Sequence, residues 1–80
     1  MRLTVHVCER GNPGIGRALR TFTGYPEAKR YAERRANDFQ WGTVIVDQIR
    51  QLADWGNGWT LADDCEVDVE APSYARGDNP

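Results

Sequence analysis

The sequence predicts an α+β fold, with one amphipathic helix packed on one face of a four- to five-stranded antiparallel sheet in the order β-β-α-β-β-β. Three observations predict it. Residues 2–8 alternate polar and apolar with a period of two, the signature of a strand. Residues 26–39 repeat apolar positions near every 3.6, the signature of a helix. At Gly42 the period returns to two, in Thr43-Val44-Ile45-Val46. The chain has 80 residues, 40% hydrophobic and 28% charged. That composition is ordinary for a globular protein, and that length is near the lower end of what one core can stabilise. Residues 1–71 are therefore expected to form a single domain.

In the first strand Leu3, Val5 and Val7 share one face, and Arg2, Thr4, His6 and Cys8 share the other. Such a strand is half-buried, with one wet face, so the helix is expected to cover one side of the sheet. Glu9 to Gly16 is rich in turn residues: Gly11, Asn12, Pro13, Gly14 and Gly16. A phosphate-binding glycine loop must lead into a helix N-terminus. Here a strand pattern follows, Ala18 to Thr23, so the loop reads as a hairpin connection. Leu19 or Phe22 is expected to face inward.

Gly24-Tyr25-Pro26 turns the chain into the helix. Pro26 suits the first helical position, where a missing N–H costs nothing. Glu27 suits the positive end of the helix dipole. Tyr25 is a weak N-cap, so packing has to carry this helix. At 100° per residue Ala28, Tyr31, Ala32, Ala36 and Phe39 form one stripe. Lys29, Arg30, Glu33, Arg34 and Asn37 fall mostly opposite. Arg35 points into the stripe and must snorkel out or meet a carboxylate. Asn37, Asp38 and Gly42 end the helix. The Val44 strand is apolar on both faces and belongs in the middle of the sheet. Gln48 to Trp55 is mixed, and reads either as a continuation past a bulge or as a further strand. Gly56-Asn57-Gly58 signals a hairpin, with Trp55 and Trp59 placed to pair across it. Trp59-Thr60-Leu61 is read as the fourth strand and Cys65 to Val69 as the fifth. Residues 72–80 read as a flexible tail, and their Arg-Gly-Asp at 76–78 as coincidence.

No segment approaches the ~20 apolar residues of a membrane span, and Met1-Arg2 leads straight into a strand pattern without a signal peptide. The expectation is a cytoplasmic protein without membrane contact. Three potential metal ligands, His6, Cys8 and Cys65, fall short of a structural zinc set and lack paired spacing. His6 beside Cys8 is the sole nucleophile–base pair, and side chains at i, i+2 on a strand need not meet productively. The expectation is no metal, no cofactor and no enzymatic activity. A cytoplasmic setting also argues against a Cys8–Cys65 disulfide.

The net charge of −2 hides a polarity, with residues 1–50 carrying +4 and residues 51–80 carrying −6. Asp64, Glu66, Asp68 and Glu70 alternate with Cys65, Val67 and Val69. On a strand this sets four carboxylates on one face at steps of ~6.8 Å. That row could imitate roughly every second phosphate of a DNA strand, spaced ~3.4 Å along the axis. It could equally be an edge strand whose charges prevent aggregation. The basic half centres on Lys29, Arg30 and Arg34 of the helix, with Arg2, Arg17 and Arg20 on neighbouring strands. This set could grip phosphates, or be a solvated face with pairs such as Lys29–Glu33. Specific base reading is not expected, because no helix-turn-helix, finger or aromatic RNA-binding signature is present.

Ala28-Lys29-Arg30, Ala32 and then Gly42-Thr43-Val44, followed by a glycine hairpin and tryptophan-bearing strands, resemble small phage-borne anti-CRISPR proteins that act on type I surveillance (Cascade) complexes. The resemblance covers residues 21–61. It implies one helix against an antiparallel sheet. It also implies binding to the repeated backbone subunits of the complex in the host bacterial cytoplasm, so that target DNA cannot pair. Some members hold DNA nonspecifically through helix basics, and by match Lys29 and Arg30 would carry such contacts; Arg34 is adjacent but outside the motif. The glycine loop at 9–16 and the acidic row at 64–70 depart from the pattern. The alternative reading is a standalone small nucleic-acid-binding protein using the basic helix face.

Overall fold

The computed structural model describes residues 2–8, 15–39, 42–56 and 58–61. Its elements are β1 (Leu3–Cys8), β2 (Ile15–Phe22), α1 (Tyr25–Ala36), β3 (Thr43–Asp47), β4 (Leu52–Asp54) and β5 (Trp59–Leu61). All neighbouring strands are antiparallel, in the order β2-β1-β3-β4-β5, and α1 packs on one face. The fold is α+β, as the periodicities predict, and the Val44 strand lies in the middle of the sheet.

Pairing of Val5 with Ile45 sets the parity of the two inner strands. Side chains alternate faces along a strand, so Leu3, Val5 and Val7 share the helix side with Thr43, Ile45 and Asp47. Leu3, Val5 and Ile45 form the core with Ala28, Tyr31 and Ala32, rimmed by Leu19, Phe22, Tyr25 and Trp59. Ala28 and Ala32 are 0% exposed. Their small side chains let the helix backbone come close enough for Thr43 Oγ1 to donate to the carbonyl of Ala32 at 2.8 Å.

The helix departs from expectation at its start. Gly24 is the N-cap, in extended geometry and without a side-chain cap, and Tyr25 already lies in the first turn. Pro26 is therefore the second helical residue, one place later than expected, where its missing N–H still has no intrahelical partner to lose, and Glu27 lies in the first turn as predicted. Ala28, Tyr31, Ala32 and Ala36 are buried, and Phe39 is half-buried beyond the helix end. Arg35 resolves its awkward position in both ways at once. It donates through Nε to Asp38 Oδ2 at 2.7 Å and through a terminal nitrogen to the Tyr31 hydroxyl at 2.8 Å. Gly42 takes φ of 93°, a region costly for side-chain-bearing residues, and its carbonyl accepts the N–H of Cys8 at 2.9 Å.

The face away from the helix is drier than the alternation predicts. Thr4 and Cys8 are buried, as are Val44 and Ala53. The physical reason is that β1 is flanked on both sides, so cross-strand neighbours shield its polar positions. Thr4 Oγ1 lies 3.3 Å from Thr21 Oγ1 and accepts from Gln48 Nε2 at 3.0 Å. Ile15, Val46 and Trp55 pack on Val44 and Ala53 as a second small cluster.

Three further expectations change. The second strand starts at Ile15, earlier than the Ala18 boundary, because Cys8 pairs with Ile15 after two register shifts. Leu52–Asp54 is a strand in its own right, which makes Trp59–Leu61 the fifth rather than the fourth. Its separation from β3 comes from a turn in which Asp47 Oδ1 accepts the N–H groups of Ile49 and Arg50 at 3.0 and 3.1 Å. Trp55 and Trp59 do not pair. Trp59 is registered with Asp54 and packs on the helix-side core, whereas Trp55 packs on the opposite cluster. The expected Cys65–Val69 strand and the 72–80 tail lie outside the described residues.

Candidate binding surface

The register Val5↔Arg20 brings Arg20 to the helix side of edge strand β2, beside Tyr31 of α1. Phe22 meets Tyr31 there, with ring centroids 5.2 Å apart and planes tilted by 52°. Three guanidiniums gather on the Tyr31 ring. Their central carbons lie 5.7, 5.7 and 5.6 Å from its centroid for Arg20, Arg34 and Arg35. Arg20 also covers Phe22 at 5.4 Å. Phe39 extends the cluster, with Arg35 at 5.5 Å and Arg17 at 5.8 Å.

A guanidinium held over a ring face is attracted by the ring quadrupole without using its N–H groups. Its planar donor fork stays available for carboxylate or phosphate oxygens. Among the described residues the ion pairs are Arg35–Asp38 and Arg50–Asp47. Arg17, Arg20 and Arg34 are exposed and, among the described residues, have no acidic neighbour within ion-pair reach. The surface therefore presents several oriented cations with little internal neutralisation.

The three basic residues singled out on the helix do not act as one group. Arg34 belongs to the Tyr31 cluster. Arg30 is exposed on the outer face of α1, and no ring contact or ion pair engages it among the described residues. Lys29 lies on the other flank, where it lines a cleft of about 470 Å³ with Tyr25, Glu33, Asp54, Gly56, Gly58 and Trp59. The expected Lys29–Glu33 ion pair is not formed. Asp64, Glu66, Asp68 and Glu70 lie outside the described residues.

The cleft is built by a buried carboxyl. Asp54, 3% exposed, accepts from the Tyr25 hydroxyl at Oδ2, 2.8 Å away. Its Oδ1 accepts the N–H groups of Gly56 and Gly58 at 2.8 and 3.4 Å. Asp54 thus shapes the hairpin and ties it to the first helical turn. The Tyr25 and Trp59 rings stand 6.0 Å apart with a tilt of 56°. Arg50, held by Asp47 Oδ2 at 2.8 Å, lies 5.8 Å from the Trp59 ring centre.

No family model matches the chain, no curated protein matches its sequence and no solved structure matches its fold. The site is therefore read from its own chemistry.

His6 and Cys8 sit on the face of the sheet away from α1. His6 Nδ1 donates to the carbonyl of Gly16 at 2.8 Å, which places the ring proton on Nδ1. Among the described residues no three His, Cys, Asp or Glu side chains are placed to hold a metal ion. No helix there is long and apolar enough to cross a membrane. Sequence reasoning named Arg17 and Arg20 as neighbours of the helix, but it took Tyr31 for core alone. The available signal was the position of Tyr31 at the edge of the apolar stripe, with arginines three and four residues on.

Proposed function

We propose that this protein works by binding, and that its contact surface is the arginine-rich face shared by α1 and β2, directed at the phosphates of nucleic acid. The observation that carries this reading is the set of three guanidiniums on the Tyr31 ring, of which, among the described residues, Arg35 alone has a carboxylate partner. Oriented guanidiniums suit phosphate oxygens, and phosphate contacts position a protein without reading sequence. Arg17 and Arg30 enlarge the same positive field.

A second reading has its own support. Lys29 and Arg30, the pair that carries the resemblance to small anti-CRISPR proteins, are both exposed on α1, and neither is engaged in an ion pair among the described residues. In that reading the helix docks on the repeated backbone subunits of a type I surveillance complex and keeps target DNA out.

One experiment separates the two. Labelled duplex DNA is mixed with increasing protein, alone and together with a purified type I surveillance complex. Direct binding that weakens steeply with salt supports the phosphate surface. Loss of target binding by the complex, with the protein alone leaving DNA free, supports the inhibitor. If DNA is left free and the complex is unaffected, both readings fail.

A further inference from the structure

The cleft on the far flank of α1 has a composition unlike the arginine face. Its walls are two aromatic rings, Tyr25 and Trp59. Its lining also includes the buried Asp54, one cation, Lys29, and one anion, Glu33, the last two unpaired with each other. Gly58, at φ of 112°, has no atom of the described residues within 4 Å of where a Cβ would stand. At about 470 Å³ the cleft falls in the size range of small-ligand sites.

Phosphate alone fits this cleft poorly, because two carboxyl groups line it. A flat ring with amino donors fits better. It can stack on an aromatic wall, donate to Glu33 or to the remaining lone pair of Asp54, and leave a neighbouring phosphate to Lys29. We infer that the cleft between α1 and the β4–β5 hairpin holds one unpaired nucleobase, so that the preferred ligand is single-stranded nucleic acid. This inference rests on the phosphate-binding reading above and adds the kind of strand to it. In a duplex the base faces are already stacked and cannot enter. Cytosine, which offers an exocyclic amino donor, suits the carboxyl-lined cleft better than thymine, which offers a carbonyl oxygen there.

The test measures fluorescence anisotropy of three labelled probes with the full chain at one salt concentration: a short oligocytidine, an oligothymidine and a blunt duplex. The expected order is oligocytidine tightest. Trp59→Leu should weaken oligocytidine binding by about tenfold, the scale of one lost base stack, and leave duplex binding unchanged. Glu33→Gln should narrow the gap between the cytidine and thymidine strands. Trp59 also packs on the core rim, so Lys29→Gln, at an exposed position without an ion pair among the described residues, serves as a second variant and should weaken the single strand more than the duplex. Equal affinity for strand and duplex, unmoved by Trp59→Leu and Lys29→Gln, would overturn the cleft assignment and leave the arginine surface standing. Failure of all three probes to bind would remove both.

Discussion

The hydroxyl of Tyr25 donates to Asp54 across 2.8 Å, joining the first turn of the helix to a strand 29 residues further along the chain. Asp54 is almost fully buried and also organises the following hairpin through Gly56 and Gly58. A buried acceptor that loses its donor keeps its desolvation cost. Tyr25→Phe should therefore lower unfolding free energy by about 1–3 kcal/mol. Asp54→Ala should cost more, because three donors lose their acceptor at once. Urea denaturation of both variants checks the order, and a smaller loss for Asp54→Ala would contradict it.

Asp47 should contribute to the acid sensitivity of the fold. The Arg50 guanidinium bonded to its side chain, followed by the backbone N–H of Arg50, holds its carboxyl below the usual value, against the opposing effect of burial. A depressed carboxylate contributes stability that is complete above its unfolded pKa and is lost as pH falls through its folded pKa. Stability should accordingly hold above about pH 4 and decline below it. Thermal melts across that range, for the natural chain and for Asp47→Asn, test this. The variant should show a shallower acid decline, and parallel curves would assign the acid sensitivity to other carboxyls.

The arginine face makes a quantitative prediction about salt. Each phosphate contact contributes about 0.9 to the slope of log affinity against log salt on duplex DNA. Replacing Arg20 and Arg34 together by Gln should make that slope shallower by roughly 1.8. Arg20 loses cation–π contacts with Phe22 and Tyr31 and Arg34 loses one with Tyr31, each worth about 0.5–1 kcal/mol at an exposed site, so the fold should survive. Arg35→Gln should behave oppositely, because Arg35 is already committed to Asp38 and the Tyr31 hydroxyl. It should lower stability while moving the slope less. Equal slopes for the double variant and the natural chain would remove Arg20 and Arg34 from the contact.

What could be read in the sequence follows the strength of local periodicity. Ala28, Tyr31, Ala32 and Ala36 repeat at helical spacing over twelve residues, and the structure buries all four. β4 spans three residues of mixed polarity, too short to show a period, and its boundary depends on a carboxylate turn from Asp47. Trp55 and Trp59 looked like cross-hairpin partners from spacing alone, but pairing of Trp59 with Asp54 puts the two tryptophans on opposite faces. The dryness of Thr4 and Cys8 depends on strands that come from elsewhere in the chain, which alternation within β1 cannot report. The candidate surface divides in the same way. Arg34 was visible as an exposed helix cation. The gathering of Arg20, Arg34 and Arg35 on Tyr31 required the register between β1 and β2, and the Asp54 cleft required that between β4 and β5.

Gln51 provides a test of the β3–β4 turn. Its φ is 61°, the one positive value at a non-glycine position among the described residues. A side chain there brings Cβ close to the following carbonyl oxygen, at a cost of about 1–2 kcal/mol that glycine does not bear. Glycine in turn loses more backbone freedom on folding, worth roughly 0.5–1 kcal/mol. The difference favours glycine, because the Gln51 side chain is exposed and its backbone N–H already donates to the carbonyl of Asp47 at 2.8 Å. Gln51→Gly should therefore raise unfolding free energy by up to about 1 kcal/mol, and Gln51→Val should lower it, since a β-branched side chain tolerates this region least. Urea midpoints at neutral pH separate the outcomes. A stabilised valine variant would show that the turn does not hold residue 51 in the left-handed region in solution.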